Sequence, residues 1–377
     1  MAVYLAGFLI SFSIAKAIEK WNTKSVGFWV WSFVLLLIPC LIAGLRADTV
    51  GTDVLVYARP LYDLAENSSS LSNYFDAHWW SVWRYMGPAD YEVGFSLLIW
   101  LSFVVGSSFS FTLFVIQAFT IFPIYLALTR VRKNNSISIS LGLLVYLLLY
   151  FNVSLNLMRQ WIAMAFLLLA ITYLLDRKQL QYFILSAVAF LFHASAILIC
   201  LVVYVFWRYV YSSEGGYARR VLITSTISLL IIVFGLRIAA SSLSALGFNE
   251  YIQYIGTGEV SIVPSQILLL APGVLLLLLF WKRYGGSNSK IQMYLPLLGM
   301  VVGVFASQLG SITDQSSRLA QYFSYQAILA FPLAHSAISD RNQRRVFWGA
   351  SVLYFGIYWA IVYVVMGANQ TVPYALA

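Results

Sequence analysis

The sequence predicts an all-α polytopic membrane protein with about twelve crossings and a few short re-entrant or interfacial helices. Three observations carry that prediction. Of the 377 residues, 61% are hydrophobic and only 10% charged, whereas roughly half of a soluble domain is polar. The apolar residues form runs, at 28–45, 109–128, 221–239, 267–281, 291–309 and 346–366, about as long as a helix needs to cross hydrocarbon. A spanning β-barrel would instead alternate polar and apolar residues. Third, the charges segregate once the chain is threaded back and forth. Most of the 23 basic residues then share one side, and most of the 14 acidic residues take the other. The net charge of +9 thus follows from the positive-inside bias, and no nucleic-acid partner is expected.

Taken in order, residues 1–15 lack a basic start, and Lys16, Lys20 and Lys24 follow them. This reads as a retained first helix with its N-terminus outside. Residues 46–93 form the largest outside loop. The stretch 94–107 is too short for a full crossing, and counting it as one would put Arg130, Arg132 and Lys133 outside. It is expected to lie flat or dip in. The span 180–192 is also short and leads to His193. A second outside loop is expected at 240–264. Residues 1–377 read as a single integral membrane domain without an internal repeat. Cys40 and Cys200 lie in apolar runs and suggest neither a disulfide framework nor a metal site.

Polar residues gather at the outer helix ends. Arg46, Asp48, Asp53 and Tyr57 lie in RADTVGTDVLVY, and Asp90 and Glu92 in DYEVGF. Asn156, Arg159 and Gln160 open one helix at i, i+3 and i+4, on one face. Arg318 and Tyr322 repeat that spacing, and His193 sits at a helix junction. Ionisable groups at membrane depth are costly and mark sites by default. Arg159 is the sharpest case, because an arginine on the outer side does nothing for orientation. Each residue also has a plain reading: Arg46 as a snorkelling side chain, Asp48 and Asp53 as turn formers, His193 as a structural histidine. Trp79, Trp80 and Trp83 are expected along one face of an interfacial helix over 74–86.

Outward-facing arginines suit a diphosphate, because guanidinium is permanently charged and grips phosphate in bidentate fashion. Nearby acids or His193 could take a proton from a sugar hydroxyl. No Walker loop, Rossmann fingerprint or zinc signature is present, so neither metal nor cofactor is expected. An outward-facing enzyme needs an activated donor already in the membrane, and a lipid-diphosphate sugar is one.

The segments GTDVLVY (51–57), YEVGF (91–95), NLMRQWIAMAF (156–166), FLFHASAI (190–197) and SRLAQYFSY (317–325) resemble, in order and spacing, the EpsG-like branch of Wzy-type bacterial polysaccharide polymerases. In DYEVGF the proline usual after the glutamate is replaced by Val93. The resemblance implies a GT-C-like helical bundle and an inverting, metal-independent glycosyltransferase. Such an enzyme moves a growing glycan from undecaprenyl diphosphate onto the next lipid-linked oligosaccharide repeat unit, outside the bacterial inner membrane. It implies Asp53, Glu92 and His193 as catalytic candidates. Arg159, Arg318, Asn156, Gln160 and Tyr322 become diphosphate ligands, and Arg46, Asp48 and Tyr57 secondary residues. Inner-membrane lipid, a chain-length regulator and a flippase of the same pathway are the further partners. Two alternatives stay open: a flippase or transporter of lipid-linked oligosaccharide, which would need polar groups on both sides of the membrane, and an O-antigen ligase, which differs only in acceptor.

Overall fold

The computed structural model describes residues 1–81, 84–231, 262–285, 288–311 and 314–377. It is helical almost throughout. Seven segments among the described residues are long and apolar enough to cross a membrane: Val26–Gly44, Phe109–Asn135, Ile139–Asn156, Met158–Leu175, Pro264–Arg283, Asn288–Leu309 and Arg341–Val365. Shorter apolar helices cover Ala2–Ile18, Val93–Gly106, Gln179–Phe190 and Ala196–Val210. The chain forms two compact units, Met1–Leu201 with Phe355–Ala377, and Val202–Tyr354.

In the first unit, α1 (Ala2–Ile18) and α2 (Val26–Gly44) are followed by α3 (Arg59–Glu66), α4 (Leu71–Asp76), α5 (Val93–Gly106), α6 (Phe109–Asn135), α7 (Ile139–Val145), α8 (Phe151–Asn156), α9 (Met158–Leu175) and α10 (Gln179–Phe190). Serine starts several of these helices for a local reason. The side chains of Ser25, Ser70, Ser108 and Ser138 each accept a backbone N–H of the first turn, satisfying a donor the helix cannot. The continuous segment α7–α8 is buried along its whole length. A helix that is apolar all round belongs in the centre, and this one is the core of the unit.

Between α7 and α8 lies a π-helical turn, Tyr146–Tyr150. Such turns disturb the regular ladder, and here the Tyr363 hydroxyl donates to the Leu149 carbonyl at 2.5 Å. Asn152, wholly buried, accepts from Trp359 Nε1 at 2.9 Å and donates to Thr371 Oγ1 at 3.0 Å. Buried polar groups are thus paired, and the pairing ties the C-terminal residues to the core helix.

The contacts also sort the helix ends. At one end of the unit, Glu19 accepts from Ser138, Ser140 and Lys16, and Arg130 pairs with Asp176. At the other, Arg46 meets Met158 and bridges antiparallel to Leu376, with backbone hydrogen bonds between Ala47 and Ala375 and between Ala377 and Leu45. The stretch 46–93 is not an open loop. It holds a π-helical turn (Val54–Ala58), α3, α4, a 3-10 turn (Pro88–Asp90) and a small hairpin.

That hairpin corrects one expectation. The tryptophan stretch is not an interfacial helix: helix α4 stops at Asp76, and Trp79–Trp80 pair antiparallel with Tyr85–Met86. Aromatic residues favour a pleated, half-buried surface, and Ala77 is already extended (φ −77°, ψ 150°). Trp83 lies outside the described residues.

In the second unit, α11 (Ala196–Val210) enters from the first, followed by α12 (Tyr217–Leu230), α13 (Pro264–Leu279), α14 (Asn288–Ala306), α15 (Asp314–Ser324), α16 (Ala327–Ala337) and α17 (Arg341–Trp359), which leads back. The expected loop 240–264 falls almost wholly outside the described residues. Cys40 and Cys200 are free and buried.

Candidate functional site

Four of the five motif segments meet in the first unit, around one carboxylate. Arg159, in the first turn of α9, places Nη1 2.5 Å from Glu92 Oε2. The other oxygen, Oε1, lies 2.8 Å from His193 Nδ1 and accepts the Ala194 backbone N–H at 3.1 Å. An ionised carboxylate can only accept hydrogen bonds. His193 therefore carries its proton on Nδ1, and in the neutral imidazole Nε2 is left as an acceptor. The three side chains are 24%, 16% and 27% exposed for Arg159, Glu92 and His193, buried enough to be fixed yet still reachable.

The guanidinium of Arg159 is held by rings as well as by charge. Its central carbon lies 4.8 Å from the ring centroids of both Tyr57 and Tyr91, a cation–π arrangement. Tyr91 in turn stacks on Trp79, centroids 5.9 Å apart and planes at 10°. Arg159 Nε is buried and has no hydrogen-bond partner.

Asn156 organises the other wall. Its Oδ1 accepts from Thr52 Oγ1 at 3.0 Å and from the Asp53 backbone N–H at 2.9 Å. Its amide donates to Asn369 Oδ1 at 3.3 Å, and its carbonyl accepts from Tyr57 at 3.4 Å. Asp53 and Arg159 both interact with the Tyr57 hydroxyl. Beside them Arg46, 2% exposed, contacts Met158 Sδ at 3.6 Å, while its Nε and Nη1 have no partner. The snorkelling reading of Arg46 is thereby overturned: the residue follows a helix end but is buried, close enough to Tyr4, Tyr57 and Tyr374 to feel their phenols electrostatically.

Local backbone explains why these segments fit. Gly51 adopts φ +92° against the Leu155 carbonyl, where a Cβ would stand 3.3 Å away; this conformation favours glycine. Gly94 donates to the Leu191 carbonyl at 2.8 Å, and a Cβ there would lie 2.6 Å from that oxygen. Only glycine lets the Glu92 turn close onto the turn bearing His193. Val93 takes the first helical position of α5, and Glu92 stays extended (φ −60°, ψ 130°). These are the places a proline and its preceding residue would occupy, so the turn forms without the proline.

Burial alone would raise the Glu92 pKa. The His193 contact, the Arg159 charge and the Ala194 amide outweigh it and bring the carboxyl down to about 2. Burial pushes the Tyr57 and Tyr91 phenols up, so both stay neutral. Burial lowers Arg46 to about 10, against the opposing pull of Tyr4, Tyr57, Tyr374 and Asp48, and it remains protonated at neutral pH. Because the folded Glu92 value lies below its ordinary one, its stabilisation is complete above about pH 4.5 and fades as pH falls toward 2. We expect Glu92→Gln to melt earlier than the parent at pH 6, by roughly 3 kcal/mol at most, and the gap to narrow at pH 3. A gap unchanged over that range would contradict the assigned pairing.

The remaining expected residues sit as follows. Gln160 is 5% exposed, with Nε2 3.7 Å from Met164 Sδ. Asp48 accepts from Arg59 at 3.3 Å in a partly exposed pair. Arg318 and Tyr322 lie on α15 of the second unit, half-buried and 2% exposed respectively. Reading the sequence missed Tyr91, Thr52 and Asn369, and it named Trp79 only within the expected helix. Tyr91 lies inside the quoted YEVGF segment, so its ring beside a glutamate was a usable signal, whereas Asn369 carried none. Among the described residues no group of three or more His, Cys, Asp or Glu could hold a metal ion.

The EpsG family model matches residues 29–376, nearly the whole chain. No curated protein and no solved structure matches.

Proposed function

The chain belongs to the EpsG family, and from that premise we propose that it is a polysaccharide polymerase that uses a lipid-diphosphate donor. Family membership supports the coarser statement, a membrane protein of polysaccharide-polymerase type. The finer reading is that residues 1–377 form one GT-C-like membrane domain of about twelve crossings. Helix α5 lies as a re-entrant or interfacial element, and the site faces the exterior of a bacterial inner membrane. The donor is an undecaprenyl-diphosphate-linked oligosaccharide and the acceptor a hydroxyl of the next lipid-linked unit.

The observation that carries this reading is the sharing of Glu92 between Arg159 and His193. Glu92 is already ionised and doubly engaged, which suits it to orient rather than to take a proton. It holds the imidazole with Nδ1–H inward, so that Nε2 can accept the proton of the acceptor hydroxyl. The hydroxyl oxygen attacks the anomeric carbon from the face opposite the diphosphate. The glycosidic bond forms, the carbon–oxygen bond to phosphate breaks, and the lipid diphosphate leaves with that electron pair, inverting the centre. Arg159 meets the growing charge on the leaving group, and Arg46 adds a positive field from the buried side. Asn156 and Gln160 order the helix end, and Asp53 lies close enough to Tyr57 to be the alternative base. Charge neutralisation rests on guanidinium groups, and the step invokes no metal.

Polymer ladders formed from purified lipid-linked repeat units test it. Glu92→Gln and His193→Ala should each lower the rate by about 10²–10⁴-fold, with Asp53→Asn affected less. Full ladders from His193→Ala would remove the histidine as base, and a complete loss in Asp53→Asn alone would move that role to Asp53.

A further inference from the structure

We propose that the first unit holds a second binding site, for the phosphate of an anionic phospholipid headgroup, at the end of the bundle remote from Glu92. The site is a cavity of about 330 Å³ whose lining includes Lys24, Trp29, Thr129, Arg130, Lys133 and Tyr173. It is built by the start of α2, the last turns of α6 and the last turns of α9.

Its place in the bundle follows from the helices that make it. Helix α2 runs from Lys24 at the cavity to Arg46, which touches Met158. Helix α9 runs back from Met158 and Arg159 to Tyr173. Eighteen or nineteen residues at 1.5 Å each separate the two ends by about 27 Å, close to the thickness of a hydrocarbon core. A cavity there opens at the opposite membrane surface, with Lys24, Arg130 and Lys133 in its lining.

The chemistry of the lining selects an anion with an apolar tail. Arg130 is fixed: its guanidinium carbon lies 3.7 Å from the Tyr173 ring centroid, it pairs with Asp176, and its buried Nε has no partner. Asp176, the nearby carboxylate, is also held by Asn134 at 3.1 Å. Lys24 and Lys133 are exposed, and among the described residues neither forms an ion pair. Two uncompensated ammonium groups therefore face a cavity whose inner wall is Leu126 and Leu169. Trp29, 41% exposed, is anchored by its Nε1–H to the Thr23 carbonyl at 2.9 Å, the interfacial position such rings favour. Lysines near a membrane surface attract anionic lipid by about 1 kcal/mol each. The apolar wall favours a lipid source over free phosphate. This site does not depend on the glycosyl-transfer reading.

The test uses the full chain in detergent, stripped of lipid. Phosphatidylglycerol, phosphatidylcholine and soluble glycerol 3-phosphate are added separately, and bound lipid and melting temperature are measured by native mass spectrometry and thermal unfolding. The comparison is with the double variant Lys24→Ala/Lys133→Ala, whose changed side chains are solvent-exposed, and its lipid-free melting temperature is expected to match the parent's. Phosphatidylglycerol is expected to bind about tenfold or more tighter than phosphatidylcholine and to raise the melting temperature, and the double variant to lose that preference. Equal binding of the two lipids, or an unchanged preference in the variant, overturns the proposal. A shift of the same size with glycerol 3-phosphate alone overturns the lipid as source.

Discussion

Replacing Arg159 with lysine is expected to suppress polymer ladders almost as far as replacing it with alanine, by about 10²–10³-fold in turnover. The reason is the number of partners the guanidinium serves. One nitrogen is committed to Glu92 at 2.5 Å, the plane lies against Tyr57 and Tyr91, and Nε is left over. A planar fork can hold Glu92 and still present a second edge to a phosphate, whereas an ammonium is a compact point charge. Lysine keeps the charge and can keep the Glu92 contact, so its melting temperature should stay near that of the parent. The loss should fall on turnover more than on apparent substrate affinity. Parental ladders from the lysine variant would show that charge alone suffices, and parental ladders from alanine as well would remove Arg159 from the reaction.

Arg46→Met is expected to do something less usual: to raise the melting temperature while lowering ladder formation. Arg46 is 2% exposed, with two nitrogens unpaired, and the nearest acid, Asp48, is engaged by Arg59. Exchanging even a buried ion pair for apolar side chains of similar volume is often neutral or stabilising by about 1–4 kcal/mol, and Arg46 has no ion-pair partner among the described residues to leave behind. The same exchange removes a positive charge beside the proposed diphosphate, worth about 10- to 100-fold in rate at an effective dielectric constant of about 20. Thermal unfolding and the ladder assay on one preparation separate the two effects. A lower melting temperature with unaltered turnover would make Arg46 purely structural.

The site was legible in the sequence to the extent that its residues were chemically unusual where they stood. Arg159, Glu92 and His193 are ionisable groups at the ends of apolar runs, and the cost of placing charge there marks them without any coordinates. Asn156 stood out through its i, i+3 spacing to Arg159, although its contacts proved to be with Thr52, Asp53 and Asn369. The tryptophan pair was misread as helical because periodicity over so few residues cannot separate a helix from a short hairpin. The pairing of Trp79 with Met86 and its stacking on Tyr91 decided the matter.

Composition and run length alone determined the all-α membrane class, because hydrocarbon forces every backbone group to find its partner within the same helix. Charge and spacing alone nominated the arginines and the histidine. Tertiary structure decided which of them meet. Glu92 and His193 are 101 residues apart in the chain and Asn156 and Asn369 are 213 apart, and such pairings depend on how helices pack, including the close approach that Gly94 allows at Leu191. It also decided that Arg46 is buried rather than snorkelling: its backbone bridges to Leu376, and no local pattern connects residues 375–377 to a helix end near residue 45.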